Sequence, residues 1–293
     1  MREKPIFKKI IDFEEAKQLI EQMRYDRGYP SGYRDLDKLC GGLVKDGVTL
    51  IAARPAMGKT AFVLNLARNA AVDFNVPVAI FSLEMTDIEL TDRLIASESG
   101  ISADKLKGKI KMVPEEWVVL EQSLKKLVKA PLYIDETPGI TLTDFVAKAR
   151  RLVREKGVEV IFVDYLQLMH SGKPQQGGFS KVQEVTEISN TLKTTAKELN
   201  IPIIALAQLN RNLMSRMGSN GKPVLSDLKD SGSIEQDADI VMFLYRDEYY
   251  HPDSESKNIG EVIIAKNRHG ETGSVELVWL GEVQKFADKA RDM

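Results

Sequence analysis

The sequence predicts an α/β fold, a mainly parallel twisted sheet flanked by helices and extended at one edge by a C-terminal β-hairpin. Three observations predict it. From Val48 onward, short apolar runs ("VTLIAA", "PVAIFSL", "PLYID", "VEVIFVD", "IPIIALAQ", "ADIVMFLY") alternate with segments of helical period, the pattern of parallel strands covered by helices. The first run leads through "RPAMGKT" into a helix, as a phosphate-binding turn does. Near the end, "GEVIIAKNRHGETGSVELVWL" reads as two strands joined by a turn at His269 to Gly273.

In chain order, the first element is an amphipathic helix. Asp12 and Glu15 make a D-x-x-E variant of the capping box, and Phe13, Ala16, Ile20 and Met23 recur at helical spacing, so a helix is expected from about Asp12 to Arg24. Its apolar stripe fits either its own domain or a neighbouring subunit. The turn-rich connector "YDRGYPSGY" follows, which divides the chain into an arm and linker over 1–28 and one large domain over 29–293. Within that domain, helices are expected over "GKTAFVLNLARNAAVDF", "EEWVVLEQSLKKLVK" and "TLTDFVAKARRLVREK", the last opening on a capping box of Thr141 and Asp144. "HSGKPQQGGFSK" has no apolar face and reads as a loop.

Composition narrows the chemistry. With 43% hydrophobic and 29% charged residues among 293, the chain is an ordinary globular one, and no apolar run approaches the ~20 residues of a membrane span. The single cysteine, Cys40, excludes an internal disulfide and a thiolate metal cluster; it reads as a small buried residue. With no basic segment followed by an apolar one at the N-terminus, a cytoplasmic protein is expected. His170, His251 and His269 lack ligand spacing, so carboxylates, Lys, Arg and backbone must carry the chemistry. A net charge of -2 neither requires nor excludes nucleic acid, and any basic footprint must be local.

The nucleotide candidate is Arg54, Pro55, Ala56, Met57, Gly58, Lys59, Thr60 and Ala61. In this strand-to-helix context, backbone N–H groups face phosphates, Lys59 reaches the β- and γ-phosphates, and the Thr60 hydroxyl meets Mg²⁺. The pattern's first glycine is replaced by Ala53, which is tolerated where φ stays negative. A chance Gly-Lys-Thr at a strand end is the competing explanation. Asp164 closes "VEVIFVD", where a carboxylate holds Mg²⁺, and Glu84 follows "PVAIFSL", where a carboxylate takes a proton from the water attacking the γ-phosphate. An exposed Glu at a strand end is also commonplace.

"ARPAMGKTAF", "FSLEM", "IFVDYLQLM", "ALAQLNR", "SDLKDSGSIEQDADIVMFLYRD" and "IIAKNRHG" occur in that order, and together they resemble the C-terminal ATPase domain of DnaB-family replicative DNA helicases from about Tyr29 onward. The resemblance implies a RecA-like P-loop fold, ATP and Mg²⁺ as ligands, and a homo-oligomer, a hexameric ring around single-stranded DNA that moves by hydrolysing nucleotide between subunits. Alanine at position 53 is usual in that family. Residue by residue, the resemblance makes Lys59 and Thr60 the phosphate and Mg²⁺ contacts, Asp164 the Walker B acid, Glu84 the catalytic carboxylate and Gln208 the sensor between γ-phosphate and DNA loops. Lys266 and Arg268 match the pair inserted into the neighbouring subunit's site; as alternate residues of one strand they would share a face.

For DNA, the resemblance points to Arg211 and to the phosphate-holding segment of Lys229, Asp230, Ser231 and Gly232, where the family usually has Arg-Glu in place of Lys229-Asp230. By charge, the stretch from Gln208 to Gly232 sets Arg211, Arg216, Lys222 and Lys229 against Asp227 and Asp230 in what reads as a glycine- and serine-rich loop, and Lys173 and Lys181 mark a second basic loop. DnaB-type helicases generally carry an N-terminal collar that helps recruit primase; ahead of the motor this chain has a stretch resembling only their linker helix, so primase and a helicase loader are expected to bind through other parts. The expected function is an ATP-dependent replicative helicase motor. The alternative is a RecA/RadA-like recombination ATPase forming filaments on DNA.

Overall fold

The computed structural model describes residues 28–172, 181–209 and 221–290, with backbone alone at 181 and 229–233. The expected linker helix, Lys173 and the residues Arg211 and Arg216 lie outside the described residues. β1 (Val48–Ala53), β2 (Val78–Ser82), β3 (Leu132–Asp135), β4 (Val160–Asp164), β5 (Ile203–Gln208) and β6 (Ile240–Tyr245) coincide with the six apolar runs. They pair in parallel in the order β3-β2-β4-β5-β1-β6. Every residue of β1, β2, β4 and β6 is buried, which is why these strands read as unbroken apolar runs and not as alternating ones.

Beyond β6 the sheet turns antiparallel. β7 (Ile259–Asn267) and β8 (Gly273–Leu280) form the expected hairpin, and a further strand, β9 (Lys285–Asp288), pairs with β8 to complete nine strands. Only Phe286 of β9 is buried, so four residues with one apolar side chain in the core offered no period to detect.

Helices cover both faces. α1 (Arg34–Cys40), α2 (Lys59–Arg68), α3 (Asp87–Ser99), the single turn α4 (Ala103–Leu106) and α5 (Pro114–Lys129) precede α6 (Leu142–Lys156), α7 (Lys181–Leu199) and α8 (Gly232–Asp237). α2 runs on into a π-helical turn over Asn69–Asp73, so the expected long helix is two segments. α3 was not among the expected helices; Thr86 and Glu89 cap it reciprocally, and Leu90 and Leu94 bury its inner face. At α6 the Thr141 hydroxyl accepts from the Asp144 N–H at 3.1 Å, as the expected capping pair should.

The strand pleat sorts the core into two layers. Ile51, Ile80, Phe162 and Leu206 meet Phe62 and Leu66 of α2 and Leu90 of α3 on one face. Leu50, Phe81, Ile161 and Phe243 meet Phe145 of α6 and Ile188 and Leu192 of α7 on the other. Phe81 and Phe145 pack edge to face with ring centroids 4.9 Å apart, and truncating either would cost about 3–5 kcal/mol. Cys40 is buried and unpaired. Among the described residues no helix is long and apolar enough to cross a membrane.

Candidate functional site

The parallel strands end at one edge, and the expected nucleotide and acid residues, with Gln208, collect there. Ala53 lies inside β1, 1% exposed, and is absent from the positions with positive φ, so a methyl group fits where the phosphate-loop pattern has its first glycine. The left-handed turns fall instead at Ala56, φ 66, and Gly58, φ 88, which caps α2. Buried Met57 pins the loop between them to the core. The first N–H groups of α2, starting at Lys59, have no partner within the helix and sit at its positive end, a cradle for an anion.

Register brings the acids to this cradle. Ser82 of β2 pairs with Asp164 at the end of β4, and the Leu83 N–H donates to the Asp164 carbonyl at 2.8 Å, so Glu84 emerges exposed beside it. The Thr60 hydroxyl donates to Asp164 Oδ2 at 2.8 Å, which joins the first turn of α2 to the end of β4. The second oxygen, Asp164 Oδ1, is buried with no hydrogen-bond partner. Burial raises the Asp164 carboxyl above its ordinary range against the pull of Lys59, the Thr60 hydroxyl and Arg93. Burial likewise lowers the Lys59 ammonium, opposed by Asp164 and Glu84. Lys59 Nζ donates to the Ala207 carbonyl at 3.3 Å and lies 4.9 Å from the Tyr165 ring centroid.

A carboxylate oxygen without a partner, beside a hydroxyl, fits a divalent cation that arrives with phosphates. Among the described residues no cluster of three or more His, Cys, Asp or Glu is set to hold a metal alone. Gln208 ends β5 opposite Ala53, exposed, and its carbonyl accepts from Gln167 Nε2 at 3.4 Å.

Lys266 and Arg268 sit elsewhere. Ala53 pairs with Leu244, Leu244 with Val262, and Lys266 with Val241, so the cationic pair lies toward the opposite edge of the sheet. β7 ends at Asn267, so Arg268 is in the turn beyond it, and what the two cations share is not a strand face but the end of α8. The segment with Lys229, Asp230, Ser231 and Gly232, expected as a loop, has helical backbone: two short 3₁₀ pieces within Leu225–Ser231, joined across a kink at Leu228, lead directly into α8.

Residues 28–288 match the family model described as DnaB-like helicase C terminal domain. The chain belongs to this family. Replicative DNA helicase DnaB of Geobacillus stearothermophilus is 47% identical over 265 residues, 90% of this chain and 57% of that protein. Replicative DNA helicase DnaC of Bacillus subtilis (strain 168) is 43% identical over 280 residues, 95% of this chain and 60% of that protein. The chain thus spans less than two thirds of the length of these relatives. One solved structure, described as an ATPase domain, superposes with a TM-score of 0.86 at 38% identity, over 94% of this chain and 98% of that one. "The Structure Of A DnaB-Like Replicative Helicase And Its Interactions With Primase" superposes at 0.85 and 37% identity, over 96% of this chain and 68% of that one. The DnaB-like domain here therefore has the RecA-like P-loop architecture expected from its motifs.

Around this DnaB-like site, Tyr165 and Arg246 fall inside the quoted motifs and Arg54 is a nucleotide candidate, but the contacts they make carry no sequence signal. Tyr165 faces Lys59, and Arg54 lies 5.3 Å from the Tyr250 ring centroid. Arg246, paired with Glu248 at 2.5 Å and 5.0 Å from the Trp279 ring centroid, donates to the Ala56 carbonyl at 3.5 Å. Behind Gly58, Phe286 and Trp279 form an aromatic wall with their centroids 4.5 Å apart. All of these except Arg54 come from elements far along the chain from the P-loop, and Trp279 and Phe286 lie outside the family motifs.

Proposed function

We propose that this chain is the ATP-hydrolysing motor of a replicative DNA helicase, working as a hexameric ring in the cytoplasm that moves along single-stranded DNA. The observation that carries the reading is the division of the site between two edges of the sheet. One subunit's P-loop edge supplies Lys59, Thr60, Asp164 and Glu84, whereas Arg268 lies beside Asp239, five positions along β6 from Leu244 at the level of Ala53, about 17 Å at 3.4 Å per residue. An arginine finger at that distance serves a neighbour's nucleotide and not its own. A ring supplies every site with such a neighbour.

In this reading the N–H groups of the loop and the first turn of α2 bind the phosphates, and Lys59 leaves the Ala207 carbonyl for the β- and γ-phosphates. Thr60 and Asp164 would hold Mg²⁺, which would offset charge on the phosphate oxygens. Glu84, exposed at the same edge, accepts the proton of the attacking water, and Gln208 meets the γ-phosphate from the end of β5. Arg268 of one subunit faces the γ-phosphate held by the next, and Lys266 stands beside it. DNA phosphates meet Arg211 and the 229–232 segment without regard to base, as a motor on any sequence requires. Primase and a loader bind the assembled helicase; the DnaB-like relative solved for its interactions with primase supports the first. The filament-forming recombinase alternative is disfavoured because the relatives are named as replicative helicases.

The test is Lys59→Ala. The parent should hydrolyse ATP faster with single-stranded DNA and displace a strand from a forked duplex, and the variant should do neither while still forming rings in electron micrographs. Unwinding by Lys59→Ala, or filaments in place of rings for the parent, would overturn the reading.

A further inference from the structure

Lys266 and Arg268 are not loose in the isolated chain. Lys266 Nζ donates to the Glu235 carbonyl at 2.5 Å and the Gln236 carbonyl at 3.1 Å. Arg268 donates through Nη2 to the same Gln236 carbonyl and through Nη1 to Asp239 Oδ1 at 3.3 Å. These carbonyls belong to the last turn of α8, where a helix has no internal donors left and its dipole favours cations. A six-residue helix has little stability of its own. Its C-terminal end is therefore held by the very pair assigned to the neighbour's site.

Asp239 is the fixed point of this arrangement. Its side chain is 5% exposed against 43% for Arg268, so the guanidinium is gripped from behind and open in front. Oδ2 accepts from the Val48 N–H at 2.8 Å and from Lys193 Nζ, which ties the carboxylate to the start of β1 and to α7. The Asp239 carbonyl also accepts from the Arg268 N–H at 2.9 Å. Arg268 is thereby referenced to the central strand that carries the P-loop at its other end.

We infer that Asp239 is the positioning residue for Arg268, and that α8 is the piece through which the finger pair and the DNA segment act on each other. The 229–232 segment enters α8 at its N-terminal end, and the finger pair grips the carbonyls at its C-terminal end, so α8 joins the two in one short element. When Arg268 and Lys266 turn to a neighbour's phosphates, donors leave Glu235 and Gln236, and the grip on α8 loosens. Coupling of this kind runs both ways, so a DNA strand that orders the 229–232 segment also sets the finger. The inference rests on the helicase reading, in which Arg268 acts in trans.

The experiment separates the two. Lys59→Ala subunits, with a dead cradle but an intact Arg268, are mixed with Arg268→Ala subunits under conditions where co-assembly is verified. ATPase should be restored above the sum of the separate samples. Donors carrying Lys59→Ala with Asp239→Asn should restore about 10²-fold less, the cost of a finger displaced by about 1 Å, with nucleotide binding by Asp239→Asn alone unchanged. Equal restoration by both donors overturns the positioning role and leaves the helicase reading intact; no restoration by either donor sinks the trans reading and this inference with it.

Should Asp239→Asn fail to fold, amide hydrogen exchange on Lys266→Met and Arg268→Met decides, since Lys266 is only part-buried and Arg268 is exposed. Exchange within α8 should quicken about 2- to 10-fold for Arg268→Met, which loses one hydrogen bond to α8, and by more for Lys266→Met, which loses two, while the P-loop amides keep their rates. Unchanged exchange in α8 overturns the coupling.

Discussion

Gly58→Ala tests whether the phosphate loop depends on the aromatic wall behind it. Gly58 has φ +88, and a Cβ built there would lie 3.2 Å from Phe286 Cζ, 3.3 Å from its Cε2 and 3.4 Å from Trp279 Cη2. Two costs follow. A left-handed alanine costs about 1–2 kcal/mol, and forcing a methyl against a packed ring adds about 1–3 kcal/mol. Neither ring has room to retreat, because Phe286 packs against Phe62 at 5.4 Å and against Trp279 at 4.5 Å between centroids. The expected loss is about 2–5 kcal/mol, read as a fall in the melting temperature of the nucleotide-free protein of about 2–4 °C per kcal/mol. Phe286→Leu should remove the steric part and leave the backbone part, so the double mutant should be more stable than additivity predicts by about 0.5–3 kcal/mol. Strict additivity would refute the wall. A neutral Gly58→Ala would refute the requirement for a left-handed glycine as well.

Other outcomes follow from the same geometry. Glu84→Gln should bind ATP as tightly as the parent by fluorescence titration and hydrolyse it about 10²- to 10⁴-fold more slowly; lost binding would make Glu84 structural. Asp164→Asn should abolish Mg²⁺-dependent hydrolysis yet raise the melting temperature without nucleotide, because the buried carboxylate has one oxygen unpartnered. The sign follows from its raised carboxyl: the stability it lends is fully present below its ordinary value of 3.8 and is lost as pH rises through the higher folded value. Asp164→Asn should flatten that slope, and a parent and variant with parallel pH–stability curves would refute the assignment. Changing Lys229 and Arg211 to alanine should weaken single-stranded DNA binding for all sequences alike and reduce the salt slope of log K by about 1.4, at about 0.7 for each phosphate contact; a slope equal to the parent's would place the DNA elsewhere.

The parts legible from residues alone are those whose cause is local. Four strands buried along their whole length, β1, β2, β4 and β6, leave unbroken apolar runs, and a strand entering Gly-Lys-Thr at a helix start exposes the backbone donors a phosphate needs. Asp164 and Glu84 stood out because each follows such a run. The roles proposed for Gln208, Lys266, Arg268 and the 229–232 segment came from family resemblance and not from any period or spacing.

Strand order was decided only in three dimensions. Hydrophobic period tells which face of a segment is buried but not what lies against it, and the bond between Thr60 and Asp164 spans 104 positions of sequence. The wall of Phe286 behind Gly58 depends on an antiparallel extension whose last strand is too short to announce itself, and Arg246, which follows β6 and braces Ala56, packs on Trp279 of that extension. The helical backbone over Leu225–Ser231, interrupted by a kink at Leu228, depends on tertiary support as well, since its serines and aspartates favour turns on their own propensity, while Leu228 and Ile234 are buried in the core beside α7. That Arg268 faces away from its own P-loop follows from the antiparallel register of β6 and β7, a non-local pairing that charge and alternation along one strand do not encode.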